Sequence, residues 1–147
     1  MSRALVQKYI DGLLAGDLDA VAAVIHEEYS ETYPQSGETV SGATAWREMM
    51  DAFPALPIGE EGYTTGGERP VTLVSAGLPI GPPTITVLDG GSSFTNESMV
   101  EYPDGDRYHV VVIGDIEGGK IRRATMYWAP SFEAPDWRAP FTRGDAR

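Results

Sequence analysis

An α+β domain is the fold class this 147-residue sequence predicts: three N-terminal helices packed on a strongly curved, mostly antiparallel sheet of four to six strands, cone-like in shape. Three observations carry the prediction. The first fifty residues show apolar stripes at helical spacing. The later segments alternate with a period of two between Gly-, Asp- and Pro-rich turns. Residues 107–128 read as a long hairpin, with two β-branched and aromatic runs on either side of Gly118-Gly119.

Taken in order, residues 2–15 place Leu5, Val6, Tyr9, Ile10, Leu13 and Leu14 on one helical stripe, with Ser2 able to cap the start and Gly16 the end. Asp17 can cap a second helix whose apolar positions are Leu18, Val21, Ala22, Val24 and Ile25, and His26 at its end suits the helix dipole. A short strand is expected at about 29–33, closed by Pro34 and the turn Gln35-Ser36-Gly37. A third helix is expected at about 42–53, burying Ala45, Trp46, Met49, Met50 and Phe53. From Pro54 to Pro70 the chain is rich in Gly and Pro without a period, the pattern of a lid or mobile loop. Strands follow at about 71–76, 84–88 and 92–102, with turns at Asp89-Gly90-Gly91 and Asp104-Gly105.

In the hairpin, a two-residue loop at Gly118-Gly119 sets Glu117 opposite Lys120, Asp115 opposite Arg122 and His109 opposite Trp128. One face then carries His109, Val111, Ile113, Ala124, Met126 and Trp128. The other carries Tyr108, Val110, Val112, Arg123, Thr125 and Tyr127. Both are largely apolar, so the hairpin is expected at the centre of the sheet, covered on both sides. A two-residue turn at Asp104-Gly105 puts Asn96 and Ser98 on the face of His109 and Val111; a bulge there reverses this.

The totals bound the function. A chain of this length predicts one domain, with a core at 1–130 and a Pro/aromatic tail at 131–147, burying about 70% of its unfolded surface. Twenty-two acidic against eleven basic residues give a formal charge of −11, which repels phosphate backbones and anionic lipids and argues against nucleic-acid or membrane partners. No apolar run approaches the roughly 20 residues that span a bilayer. Without cysteine there is neither disulfide nor thiolate chemistry, which together with the lack of a signal segment points to the cytoplasm. The two histidines fall in separate segments, so no metal site is expected.

The order of elements and several motifs resemble the SnoaL-like branch of the nuclear-transport-factor-2-like superfamily. The marks are Tyr-Ile-Asp-Gly-Leu-Leu-Ala-Gly-Asp-Leu-Asp-Ala at 9–20, Tyr-Pro-Gln-Ser-Gly-Glu at 33–38, Gly-Gly-Lys-Ile at 118–121, Tyr-Trp-Ala-Pro at 127–130 and Phe-Glu-Ala-Pro-Asp-Trp-Arg at 132–138. The resemblance implies a cystatin-like α+β barrel, but this fold hosts isomerases, cyclases, dehydratases and non-catalytic modules. Set against its ketosteroid-isomerase relatives, Tyr9 matches the oxyanion tyrosine and Trp128 the pocket tryptophan. The two family carboxylates are replaced by Tyr33 and Val111, which argues against steroid isomerisation.

Candidate site residues each carry two readings. Tyr9 is either a core tyrosine or a donor to a substrate oxygen. Tyr33 is a poor base, with a pKa of about 10, but can donate or position. Glu31, on the same side of its strand, is either a rim carboxylate or a general base raised toward neutrality by burial. His109 is either a core histidine or a proton shuttle. Trp128, Trp46, Asn96, Ser98, Val111 and Met126 are expected to line a pocket for an apolar small molecule or simply to pack. The leading reading is a cofactor-independent enzyme of the isomerase or lyase type, in which Tyr9 and Tyr33 hold a substrate oxygen and His109 or Glu31 moves the proton. The alternative is a ligand-binding or dimerisation module without catalysis. A homodimer is expected in either case, because the outward face of the hairpin is too apolar for water.

Overall fold

The computed structural model describes residues 1–52, 55–57, 63–65, 69–73, 84–101 and 107–143. Helices α1 (Ser2–Ala15) and α2 (Leu18–Val24) form the expected helical hairpin. Gly16 closes α1 with φ 66°, and the Asp17 carboxylate caps α2 by accepting from the Ala20 N–H at 2.9 Å. Ser2 does not cap: the N-cap of α1 is Met1, which offers no side-chain hydrogen bond. The helices approach so closely at Gly12 that a Cβ there would stand 2.7 Å from Val21 Cγ2.

Strand β1 (Ile25–Tyr33) starts four residues earlier than the sequence suggests. Ile25 leaves the helix because its buried side chain pairs with Ile121 across the sheet. His26 therefore lies in a strand and not at a helix end, with Nδ1 accepting from the Glu28 N–H. Strand β2 (Glu38–Ser41), which lacks apolar alternation and was not anticipated, pairs antiparallel to β1. Helix α3 (Ala43–Asp51) follows, with Trp46 fully buried and Met49 and Met50 partly so.

The periodless stretch after α3 contributes two short strands, β3 (Ala55–Pro57) and β4 (Tyr63–Thr65), and its end runs into β5 (Arg69–Leu73), which overlaps the strand expected at about 71–76. The remainder of that proposed lid, Phe53, and the Asp104-Gly105 turn lie outside the described residues. Strands β6 (Thr84–Leu88), β7 (Ser93–Glu101), β8 (Arg107–Glu117) and β9 (Lys120–Pro130) complete the sheet. The sheet runs β2-β1-β9-β8-β7-β5-β4-β3, with β6 also paired to β7; β1, β5, β6, β7, β8 and β9 are the six strands the sequence leads one to expect, and β2, β3 and β4 are additions. All of these pairings are antiparallel except β1 with β9. No described helix is long and apolar enough to cross a membrane.

The central hairpin turns at Gly118-Gly119, with φ 58° and 74° as a primed turn requires, and Glu117 faces Lys120. One step further in, a bulge shifts the register. Ile116 pairs with Ile121 but Asp115 pairs with Arg123, which leaves Arg122 unopposed. Asp115 thus bridges to Arg123 at 2.8 Å, while Arg122 reaches Glu28 on β1 at 3.0 Å. The connection from β7 to β8 also spans five residues, with Glu101 opposite Arg107, rather than the two-residue turn expected. Each change moves β8 by one residue against its neighbour, and a one-residue slip exchanges the faces of a strand.

Val110, Val112 and Gly114 consequently face inward, together with Phe94, Asn96 and Ser98 on β7 and Ala124, Met126 and Trp128 on β9. His109 and Val111 face outward, opposite Ala129 and Tyr127. The inner face meets Val6, Tyr9 and Ile10 of α1, Val21 of α2 and Trp46 of α3 to form the core. Phe94 occupies the space over Gly114, where a Cβ would lie 2.4 Å from its ring. The outer face is open around Ile113, 48% exposed, and Tyr127, 39% exposed, whereas Met99, opposite His109 on the same face, is buried.

Candidate functional site

Strand β1 sets the site. Its residues alternate between faces, and Glu31 pairs with Ala124, so Tyr29, Glu31 and Tyr33 all point to the inner face under α1 and α3. They form one hydrogen-bonded chain. The Tyr29 hydroxyl donates to Glu31 Oε2 at 2.7 Å, and the Tyr33 hydroxyl donates to Glu31 Oε1. The Tyr9 hydroxyl, reaching down from α1, lies 2.8 Å from that of Tyr29. Because Tyr29 spends its proton on the carboxylate, Tyr9 is the donor in that pair.

Glu31 is 2% exposed, and among the described residues no Lys, Arg or His forms an ion pair with it. A buried carboxylate without a counter-ion is costly in its charged form. Burial pushes its pKa up; donation from Tyr33 and Tyr29 holds it partly down, as does the nearby Trp46 indole N–H. Trp46 Nε1 nonetheless has no partner in hydrogen-bond geometry, although Trp46 is fully buried and stacks edge-on to Tyr29 at 6.2 Å. The three phenols are also pushed up, first by burial and then by neighbouring negative charge, so they remain protonated donors near neutral pH. Glu31 is the one member of the chain that can exchange a proton in an ordinary pH range.

The chain has a closed end and an open end. Tyr9 and Tyr29 are fully buried, and Tyr9 packs against Phe94 at 6.2 Å. Tyr33 is only partly buried and stands at the end of β1, where a turn leads into β2. The Gln35 side chain in that turn accepts from the Trp128 N–H at 2.7 Å, which ties the end of β1 to β9. Trp128 is half-buried beside Tyr108, with ring centroids 6.5 Å apart.

Of the residues the sequence proposes, Tyr9, Glu31 and Tyr33 are brought together, with Trp46 beside them. Asn96, Ser98, Met126 and Trp128 share the same inner face. His109 and Val111 do not. The register changes turn both outward, so neither can serve this site. The β8 residues that do face inward, Val110 and Val112, are equally apolar, so that strand still offers no carboxylate. Tyr29 was missed, although Tyr-x-Glu-x-Tyr at 29–33 carries the period-two signal that places all three side chains on one face.

No family model and no curated protein matches the chain. Solved structures do. An NTF-2-like protein of unknown function from Burkholderia xenovorans LB400 is 22% identical, with a TM-score of 0.72 over 99% of this chain and 95% of that one. A proposed ketosteroid isomerase from Kribbella flavida is 20% identical, with a TM-score of 0.72 over 99% of this chain and 90% of that one. A proposed polyketide cyclase from Xanthomonas campestris pv. campestris is 20% identical, with a TM-score of 0.63 over 86% and 88%. The chain has the NTF2-like fold, as its sequence motifs suggested.

Proposed function

We propose that this protein is an acid–base enzyme for a small, largely apolar, oxygenated molecule, and that Glu31 and Tyr33 are its proton-transfer pair. The observation that carries the reading is a buried carboxylate whose oxygens are held by phenols and paired with no described cation. A structural role alone would favour an apolar residue at such a position, because an unpaired buried charge is destabilising. A group whose pKa is lifted toward neutrality is what general acid–base catalysis needs.

In the reaction class this supports, Tyr33 donates its proton to a ligand carbonyl oxygen and is reprotonated by neutral Glu31. The carboxylate so formed takes the proton from the carbon beside the carbonyl, giving the enol with Glu31 protonated again. Isomerisation, cyclisation and dehydration of ketones share this step. Tyr29 holds Oε2 of Glu31 and stabilises its transient charge from the closed end, and Tyr9 supports it by donating to the Tyr29 hydroxyl. The names given to fold neighbours, ketosteroid isomerase and polyketide cyclase, belong to the same class of chemistry and support the reading.

Deuterium exchange tests it. The methyl-ketone protons of 2-acetylnaphthalene, followed by proton NMR in D₂O, should exchange faster with the protein than in buffer. Glu31→Gln should lower the protein-dependent rate by about 100-fold or more. Equal rates for wild type and Glu31→Gln, or no exchange above buffer, would exclude the proposal.

A further inference from the structure

Among the described residues, the buried indole Nε1 of Trp46 donates to no acceptor. An orphaned donor costs free energy that a phenylalanine ring in the same place would avoid. Its position is set by the start of α3. The Gly42 N–H donates to the Tyr29 carbonyl at 2.7 Å, and the Trp46 main-chain N–H donates to the Gly42 carbonyl at 3.0 Å, which ties the first turn of the helix to β1. The indole then meets the Tyr29 ring edge-on at 6.2 Å, with the Glu31 carboxylate nearby. The described titratable groups around that carboxylate are Tyr9 from α1, Tyr29 and Tyr33 from β1, and Glu38 of β2 beside Tyr33. Val40 on β2 and Ala124 on β9, the cross-strand neighbours of Glu31, carry no charge. On α3, Arg47 is taken up by Asp19 and Asp51, and Glu48 is exposed.

From this arrangement we infer that Trp46 is a positioning residue for Glu31: its indole N–H is a donor held in reserve, which bonds the carboxylate when that group carries its charge. The inference rests on the Glu31–Tyr33 reading and says how the same site bears the charge which that reading requires. A neutral carboxyl needs fewer donors, because one of its oxygens carries a proton of its own, whereas an ionised one offers about four acceptor sites. In the resting site Tyr29 and Tyr33 donate one hydrogen bond each. When Tyr33 turns its proton to a ligand oxygen, Tyr29 alone is left on the carboxylate, and the indole N–H replaces the lost donor. The terminal torsion of a glutamate is soft, so the carboxylate can turn toward the indole within its rotamer. In the low dielectric of the core a bond to the charged form is stronger than it would be in water.

The test follows the Glu31 carboxyl carbon by ¹³C NMR across pH in the full chain, its resonance identified by its absence in Glu31→Gln. Trp46→Phe should raise the Glu31 midpoint by about one pH unit, a tenfold change in its ionisation constant and the value of one hydrogen bond to a charged group. Packing alone predicts the opposite sign, because a smaller ring admits water to the carboxylate and lowers its pKa. Should Trp46→Phe fail to fold, a second measurement needs no change at Trp46. Of the three tryptophans, the one whose indole N–H signal survives in both Trp128→Phe and Trp137→Phe is Trp46. That proton should move downfield with the Glu31 midpoint and stay fixed in Glu31→Gln. A Glu31 midpoint unchanged or lowered in Trp46→Phe, or an indole proton that ignores the Glu31 titration, overturns this inference and leaves the acid–base reading standing. A wild-type Glu31 midpoint at the ordinary value of 4.5 overturns that reading and this inference with it.

Discussion

The Tyr33 hydroxyl donates to Oε1 of Glu31 from the open end of the chain, while Oε2 is held from the closed end by Tyr29. Of the three tyrosines in the chain, Tyr33 is the one that is not fully buried. Tyr33→Phe is expected to lower the exchange rate by about 10²-fold or more while leaving the fold intact. Because Tyr33 stabilises the charged carboxylate, its loss should also move the alkaline or acid limb set by Glu31 to higher pH. A pH–rate profile of Tyr33→Phe superimposable on that of wild type would contradict this.

Glu31 makes stability depend on pH in a sense opposite to that of a salt-bridged acid. Its native pKa lies above the unfolded value of 4.5, because burial disfavours the charge. Between the two values the native state binds more protons than the unfolded state, so stability falls as pH rises through that window and levels off above the native pKa. The loss is about 1.4 kcal/mol for each pH unit of separation. Glu31→Gln should therefore match wild type near pH 4 and exceed it in stability at pH 8. Urea unfolding at the two pH values measures the difference, and a variant less stable at pH 8 than at pH 4, relative to wild type, refutes it.

Tyr9 and His109 should matter little to turnover, though for different reasons. The Tyr9 hydroxyl is sealed against Tyr29 at the closed end, so Tyr9→Phe should cost about 1 kcal/mol of stability and change the rate by less than about tenfold. His109 faces away from the site, so His109→Ala should leave the exchange rate within about twofold. A drop of about 100-fold in either variant would restore the role that sequence resemblance and strand alternation suggested.

The outer face of the sheet, with Val111, Ile113 and Tyr127 in adjacent positions, is expected to be covered by a second copy of the chain. Sedimentation at micromolar concentration should give a dimer. Ile113→Lys should shift it to monomer without moving the circular dichroism spectrum. A monomer in wild type excludes the homodimer.

Close helix packing gives a stability test. At Gly12 an added methyl meets Val21 Cγ2 at 2.7 Å, inside van der Waals contact. Gly12→Ala should destabilise by about 1–3 kcal/mol despite alanine's better helix propensity, measured by thermal unfolding.

The helices, the strand runs and the Gly118-Gly119 turn were legible because their causes are local: apolar spacing, the Asp17 cap, and glycines able to take positive φ. So was the shared face of Glu31 and Tyr33 on β1, since alternation needs only one fixed point, although Tyr29 on that same face was missed. The β2 strand was not legible: its pairing is main-chain work that three polar residues and a single valine do not advertise. The facing of His109 and Val111 was misread for a different reason. A bulge at Arg122 and a five-residue connection before Arg107 each change the count by one, and side-chain direction depends on whether that count is odd or even.

The sequence by itself determined the element order, the helical cover, the acidic character of the chain and the residue types available for chemistry. Only the tertiary structure decided which of those residues share a face, and that Glu31 would be shut away from water among Tyr29, Tyr33 and Trp46. Propensities act over a few residues. Desolvation of a carboxylate is the summed effect of atoms contributed by α1, α3, β1 and β9, and no window along the chain contains them together.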